Sequence, residues 1–252
     1  MRIKRLDECW RLPEGVRACA TLRAEKSDLG GGLGPDRALS QQIAAHRDQL
    51  RSELGVKRIV FLEQVHGIAV HLAGPLPEGP PAVADAVVTA APGVACAVLT
   101  ADCLPVLLCS RRGDRVAAAH AGGRGLSAGV LEATLAQFET GGAGVSAYLG
   151  AAIGPASFEV GPEVRAAFLT ATPALSAQVG DCFVRGSGDR WFADLYGLAR
   201  LRLAAAGVTD VQGGGEDTCR DAGRWFSCRR DGDQAGRQAT LIWIERGLNC
   251  SG

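Results

Sequence analysis

The sequence predicts a mixed α/β (α+β) single domain over residues 1–252, with sheet inside and helices outside. Three observations predict it. Short strand-like runs dominate from residue 58 onward, several of them unbroken aliphatic or β-branched stretches, as strands covered on both faces require. A few segments carry apolar residues at helical spacing. Gly- and Pro-rich clusters at 30–35, 74–81, 141–144 and 213–215 read as turns, not linkers, because apolar segments resume quickly on both sides. With 47% hydrophobic and 21% charged residues, the chain has the balance of an ordinary globular protein and the length to bury a substantial core.

Residues 1–55 have the weakest strand signal and one helix, 40–54. Strands are expected at 58–62, 69–72, 86–89, 95–99, 106–109, 116–119, 147–151, 225–229 and 239–245. A helix over 126–138 follows from Leu126, Val130, Leu131, Leu135 and Phe138, spaced three or four apart. Pro162 opens a second with Glu163 in its first turn. A third covers 193–206 and is ended by Gly207.

Formal net charge is zero, with 27 basic and 27 acidic residues, so electrostatics give no case for nucleic acid or an anionic membrane. The start, MRIKRLDECW, leads into no apolar signal segment. The most apolar stretch, 94–109, contains Asp102 and Pro105 and is too short to span a bilayer. A cytoplasmic protein is expected. The nine cysteines are odd in number and form no CxxC pair, which argues against a disulfide framework; most are expected to be small buried hydrophobes. The Asn249-Cys250-Ser251 glycosylation pattern therefore carries no weight.

The chemistry concentrates at His66 in EQVHG, Cys103 in LTADCLP and His120 in AAHAGGRG, each at the end of an apolar run. Two imidazoles and a thiolate suit a zinc-like ion, and three protein ligands leave a position open for water or substrate. The separations of 37 and 17 residues mean that only a folded core could unite them. Singly, each has a plainer reading: a polar turn for His66, a strand-end residue for His120, a break between apolar runs for Cys103. His46 and His71 receive no role. The glycines of HAGGRG, with Arg124 and a following helix N-terminus, could seat an anion or merely form a turn. Arg229, Arg230 and Arg237 sit around an expected turn between two strands, where they either grip a polar substrate edge or decorate a solvated tip. In GPASFEVG, Gly154 and Gly161 suggest tight backbone geometry.

Taken in order, EQVHG, DAVVT, LTADCLPVLL, HAGGRG, IGPASFEVG and WFSCRRDGDQAGRQA resemble the multicopper-polyphenol-oxidase-like family, also described as laccase-domain proteins and purine nucleoside phosphorylases. The resemblance covers about residues 57–245. It implies a four-layer α-β-β-α sandwich with mixed sheets, and a zinc ion (copper as the alternative) held by His66, Cys103 and His120. It also implies phosphorolysis of adenosine, inosine, guanosine and methylthioadenosine, with adenosine deamination in the same site. On this reading Cys103, Asp102 and His120 are catalytic candidates, Asp102 as general acid/base or as an orienting neighbour of a ligand. Gln64, Arg124, Arg229 and Arg237 are substrate-binding candidates. Purine nucleosides and phosphate are the expected partners of a monomer or small homo-oligomer. The chain departs from the family pattern at Gly123, where HAGWRG has an aromatic; at Ala156, Ser157 and Phe158, where Cys-Cys-Tyr is usual; and in Gly31-Gly32-Leu33-Gly34, a faint echo of Leu-Asn-Leu-Gly. The alternatives are a copper-dependent polyphenol oxidase, a Cys-His hydrolase or deamidase with Cys103 as nucleophile, and a non-catalytic partner-binding scaffold.

Overall fold

A computed structural model describes residues 1–24, 28–30, 37–76 and 79–245. Gly31-Gly32-Leu33-Gly34 and Asn249-Cys250-Ser251 lie outside the described residues. The chain begins with β1 (Ile3–Arg5), β2 (Val16–Thr21), α1 (Arg37–Leu54), β3 (Arg58–Val60), β4 (Val70–Leu72), β5 (Ala86–Thr89), β6 (Val94–Thr100), β7 (Leu104–Ser110) and β8 (Val116–Ala121). Then come α2 (Gly123–Ala128), α3 (Val130–Leu135), β9 (Val145–Leu149), β10 (Glu159–Val160), α4 (Pro162–Ala171), α5 (Ser176–Asp181), β11 (Phe183–Arg185) and β12 (Trp191–Ala193). The chain finishes with α6 (Leu195–Ala205), β13 (Asp210–Gly213), α7 (Cys228–Asp231) and β14 (Gln238–Ile244).

Two mixed sheets stack face to face: a five-stranded one, β1-β2-β14-β6-β3, and a six-stranded one, β13-β9-β7-β8-β5-β4. The two-residue period of the strands sorts the core into three layers. On β6, Val94, Cys96 and Val98 meet Leu107 and Cys109 of β7 between the sheets. Ala95 and Ala97 point the other way, to Leu50 of α1. On β7, Val106 and Leu108 point away from the first sheet, to Leu126, Leu131, Leu198 and Leu203 of α2, α3 and α6. The order is helix, sheet, sheet, helix, a mixed α/β single domain as expected. Strands buried on both faces explain why their sequences read as continuous apolar runs.

Several elements differ from the sequence reading. β2 lies inside the five-stranded sheet although residues 1–55 gave little strand signal. Its sequence, VRACAT, is rich in small residues, and burial supplies what propensity does not. The expected 126–138 helix is two helices, broken at Gly129, whose φ of 110° no continuous helix accepts. The expected strand 225–229 is not one. Trp225 is buried between the sheets, and Ser227 caps α7 by accepting the Arg230 N–H at 3.2 Å. Arg229 and Arg230 therefore belong to a short helix, not to a hairpin tip. Strands β10 to β13 were missed because each is short. Among the described cysteines only Cys19, Cys96 and Cys109 are buried, so most are not the buried hydrophobes expected; none of the eight forms a disulfide. Among the described residues, no helix is long and apolar enough to cross a membrane.

Candidate metal centre and cavity

The topology explains why three distant residues meet. β3 and β6 are parallel neighbours in the five-stranded sheet and so leave it at the same end. From β6 the chain crosses to the six-stranded sheet through Ala101-Asp102-Cys103, and from β3 through the loop holding His66. β8 runs antiparallel to β7 and returns to that end with His120 in its last turn of strand, Pro105 paired with His120. The ligand-capable atoms of His66, Cys103 and His120 lie within 4.8 Å of one another. Cys103 Sγ is 3.7 Å from His66 Nε2, and the two imidazole centroids are 4.7 Å apart at 69°.

One buried carboxylate fixes both the backbone that carries His66 and the imidazole of His120. Asp85, the first residue of DAVVT, accepts the backbone N–H groups of Val65 (3.2 Å), His66 (2.9 Å) and Gly67 (2.6 Å). It also takes a 2.8 Å hydrogen bond from His120 Nδ1, whose Nε2 is thereby left for a metal. His66 adopts a φ of 61°, uncommon outside glycine, which lets the successive amides converge on that carboxylate. Burial opposes the Asp85 charge, but His120 and the amides outweigh it and hold the carboxyl down to about 2. Burial also opposes the His120 charge, and Asp85 and Cys103 together raise it to about 9. The Cys103 thiol is pushed up by burial yet brought down to about 6 by His120 and His66. At Cys96 and Cys109, with no imidazole beside them, burial prevails and raises the thiol, to about 12 for Cys109. The site thus favours a thiolate.

Sequence reasoning passed over Asp85. Its signal was an acid opening an otherwise apolar strand, a position that burial makes costly without partners.

Gly122 and Gly125 of HAGGRG serve close approach. A Cβ at Gly122 would stand 2.7 Å from Cys103 Sγ and 3.1 Å from His66 Cδ2, and one at Gly125 would meet the Gly67 carbonyl at 2.9 Å. α2 has only six residues, and Arg124 is exposed on it, outside the lining of the cavity described next. Gly122→Ala is expected to lower metal affinity about 10- to 100-fold with all three ligands present, by analogy with disturbed ligand supports. Metal titration of the purified variant checks this, and unchanged affinity would show that the ligands can yield to the methyl.

A cavity of about 780 Å³ opens beside the triad, within the size range of small-molecule sites. Gln64, Asp102, Phe158, Arg229 and Arg237 line it, together with Arg47. Gln64 donates to the Leu99 carbonyl and accepts the Leu99 N–H, both at 2.8 Å, so its amide fixes the His66 loop against β6. Asp102 sits at a φ of 101° and both its oxygens are engaged, by Thr218 Oγ1 and the Arg229 N–H, each at 2.6 Å. These bonds tie the Cys103 turn to two other segments and favour an orienting role. The Arg229 guanidinium donates to the carbonyls of Ser157 and Glu159 and lies 5.7 Å from the Phe158 ring centroid. Gly123 leaves its side open: a Cβ there would find only Phe158, at 3.8 Å. Gly154 is forced by Asp217, whose Oδ2 would be 2.6 Å from a Cβ.

A family model described as multi-copper polyphenol oxidoreductase laccase matches residues 25–245. The chain is 44% identical over 245 residues to the purine nucleoside phosphorylase PA4543 of Pseudomonas aeruginosa, covering 94% of this chain and 96% of that protein. It is 42% identical over 244 residues to the purine nucleoside phosphorylase YfiH of Escherichia coli, with 93% and 96% covered. The crystal structure of Neisseria meningitidis protein NMB0706 superimposes with a TM-score of 0.87 at 36% identity, over 98% of this chain and 100% of that one.

Proposed function

From the premise that the chain belongs to the multi-copper polyphenol oxidoreductase laccase family, we propose that it is a zinc-dependent purine nucleoside phosphorylase with adenosine deaminase activity. The observation that carries the reading is the His66, Cys103 and His120 cluster on the wall of a nucleoside-sized cavity. The donor set fits the ion: a thiol already inclined to ionise, and an imidazole whose Nδ1–H is held by Asp85. When bound, zinc supplies Lewis acidity and brings the pKa of a water toward neutrality.

The residues around it divide the remaining work. Gln64 and Asp102 fix the two loops that carry His66 and Cys103. Phe158 offers an apolar face to a purine, and Arg229 packs behind it. In phosphorolysis the bond from sugar to base breaks as a phosphate oxygen attacks the sugar. Positive charge gathers on the sugar, and a phosphate anion held by Arg229 or Arg237 stabilises it. A proton shuttle at Asp102 would require release of one of its two hydrogen bonds. Adenosine, inosine, guanosine and methylthioadenosine are the proposed substrates, and we propose that the reaction takes place in the cytoplasm, in keeping with eight described cysteines that form no disulfide.

Zinc is preferred to the copper that the family description suggests. Among the described residues only one such ligand group exists, and the chain has four histidines, whereas multicopper oxidases need several copper sites. A Cys-His hydrolase reading draws on the lowered Cys103 thiol beside two imidazoles. One assay separates all three: metal-quantified protein with adenosine and phosphate, following adenine, hypoxanthine and inosine separately. Adenine with stoichiometric zinc, lost on chelation, is expected. Oxygen uptake with copper, or chelator-resistant turnover abolished by thiol alkylation, would overturn the proposal.

A further inference from the structure

The cavity has a second charged pole that the triad does not use. Arg47 lines it from α1. Its guanidinium lies 4.2 Å from the Phe61 ring centroid, and its Nε donates to the Leu29 carbonyl at 2.8 Å, so its plane is fixed by stacking and by one hydrogen bond. Among the described residues neither Nη nitrogen has an acceptor, and no carboxylate stands within ion-pair distance. Asp28 attracts it from nearby, but Asp28 Oδ1 is taken by the N–H groups of Gly30 (3.0 Å) and Arg237 (2.8 Å).

Arg237 closes the other side. A Cβ built on Gly30 would be 3.6 Å from Arg237 Cβ, and Arg47 Nε bonds the neighbouring Leu29 carbonyl, so both arginines flank the Leu29-Gly30 backbone. Thr100 lines the same cavity; its hydroxyl is buried and has no hydrogen-bond partner among the described residues. Arg47, Arg229 and Arg237 line the cavity with Glu63 and Asp102, three cations against two carboxylates; Arg237 Nη1 donates to the carbonyls of Ala235 and Gly236, so the free donors are those of Arg47, and the Thr100 hydroxyl is unpaired among the described residues. A preorganised planar fork with free donors matches a tetrahedral oxyanion.

We infer that Arg47, with Arg237, forms a phosphate-binding pole in the cavity, built from side chains other than the metal ligands. The inference rests on the phosphorylase reading only for the source of the anion, either free phosphate or the phosphate of a phosphorylated sugar. It also moves the phosphate contact from Arg124, which lies outside the cavity, to a residue that the sequence left as part of a polar helix.

The test measures equilibrium binding of inorganic phosphate and of ribose 1-phosphate to the metal-loaded protein by calorimetry. Variants are Arg47→Met, Arg47→Lys and, as a surface control, Arg112→Ala, with melting temperature checked for each. Arg47→Met is expected to weaken binding about 10- to 100-fold, Arg47→Lys to recover part of it as a point charge, and Arg112→Ala to leave it unchanged. Loss confined to ribose 1-phosphate also supports the pole and names the sugar phosphate as its ligand. Binding of both anions within twofold of wild type in Arg47→Met, or no binding of either to the wild-type protein, overturns it. Phosphate binding that needs Arg47 in a protein with no nucleoside turnover would defeat the phosphorylase reading and leave this one standing.

Discussion

Cys103→Ala is expected to leave the fold intact and strip the protein of its metal. Cys103 sits in a turn between sheets, and its side chain contributes to no apolar core layer, so the truncation opens no cavity in one. What disappears is the only sulfur among the three converging ligands. Two imidazoles cannot close a zinc site that three donors define. Metal content should fall from about one equivalent to under a tenth, and nucleoside turnover by at least about a thousandfold, as for loss of a central catalytic group. Elemental analysis alongside the phosphorylase assay checks both. Full activity without bound metal would sink the zinc reading. The metal-free wild-type chain gives a companion readout. Because the thiol is held at about 6, below its ordinary value of 9, the thiolate fraction rises as pH passes upward through about 6. Iodoacetamide alkylation of Cys103 should follow that midpoint and be blocked by added zinc. A midpoint near 9 would mean that the imidazoles do not stabilise the thiolate.

Asp85→Asn should damage both metal site and fold while touching no ligand directly. The carboxylate is fully buried and accepts three backbone amides and His120 Nδ1. An asparagine of nearly the same shape has one acceptor oxygen, and its amide hydrogens face N–H donors. At least one buried donor is left unpaired, at about 1–3 kcal/mol. Metal affinity should drop about 10- to 100-fold because the His66 backbone and the His120 imidazole both lose the group that fixes them. The pH dependence has a definite sign. The folded carboxyl lies at about 2, below its ordinary 3.8, so its stabilising contribution is present above pH 3.8 and lost as pH falls through about 2. The variant should therefore lose stability at neutral pH and converge with wild type in acid. Denaturant midpoints at several pH values test this, with Asp48→Asn, an exposed carboxylate, as control. Equal metal affinity in Asp85→Asn and wild type would reduce Asp85 to a structural residue.

The double-covered strands were legible because two-sided burial leaves unbroken apolar runs. Thus β5 was expected at the residues where it occurs, and β6, β7, β8 and β14 were found within two residues. Strand β2 was not legible, since VRACAT has its place only because β1 and β14 pair with it. The helix break at Gly129 was hidden because the apolar spacing runs through it.

By itself the sequence determined the chemistry on offer: two imidazoles and a thiol at the ends of apolar runs, in motifs that mark a family. Local pattern suffices there because residue type and its place at a strand end are both local properties. Only the tertiary structure decided that these three side chains meet, that Asp85 fixes the backbone of His66 and the ring of His120, and that Arg47 rather than Arg124 borders the cavity. Those facts depend on parallel β3 and β6 leaving one end of a sheet together and on α1 folding across it. Such contacts join residues far apart in the chain, and no local periodicity encodes them.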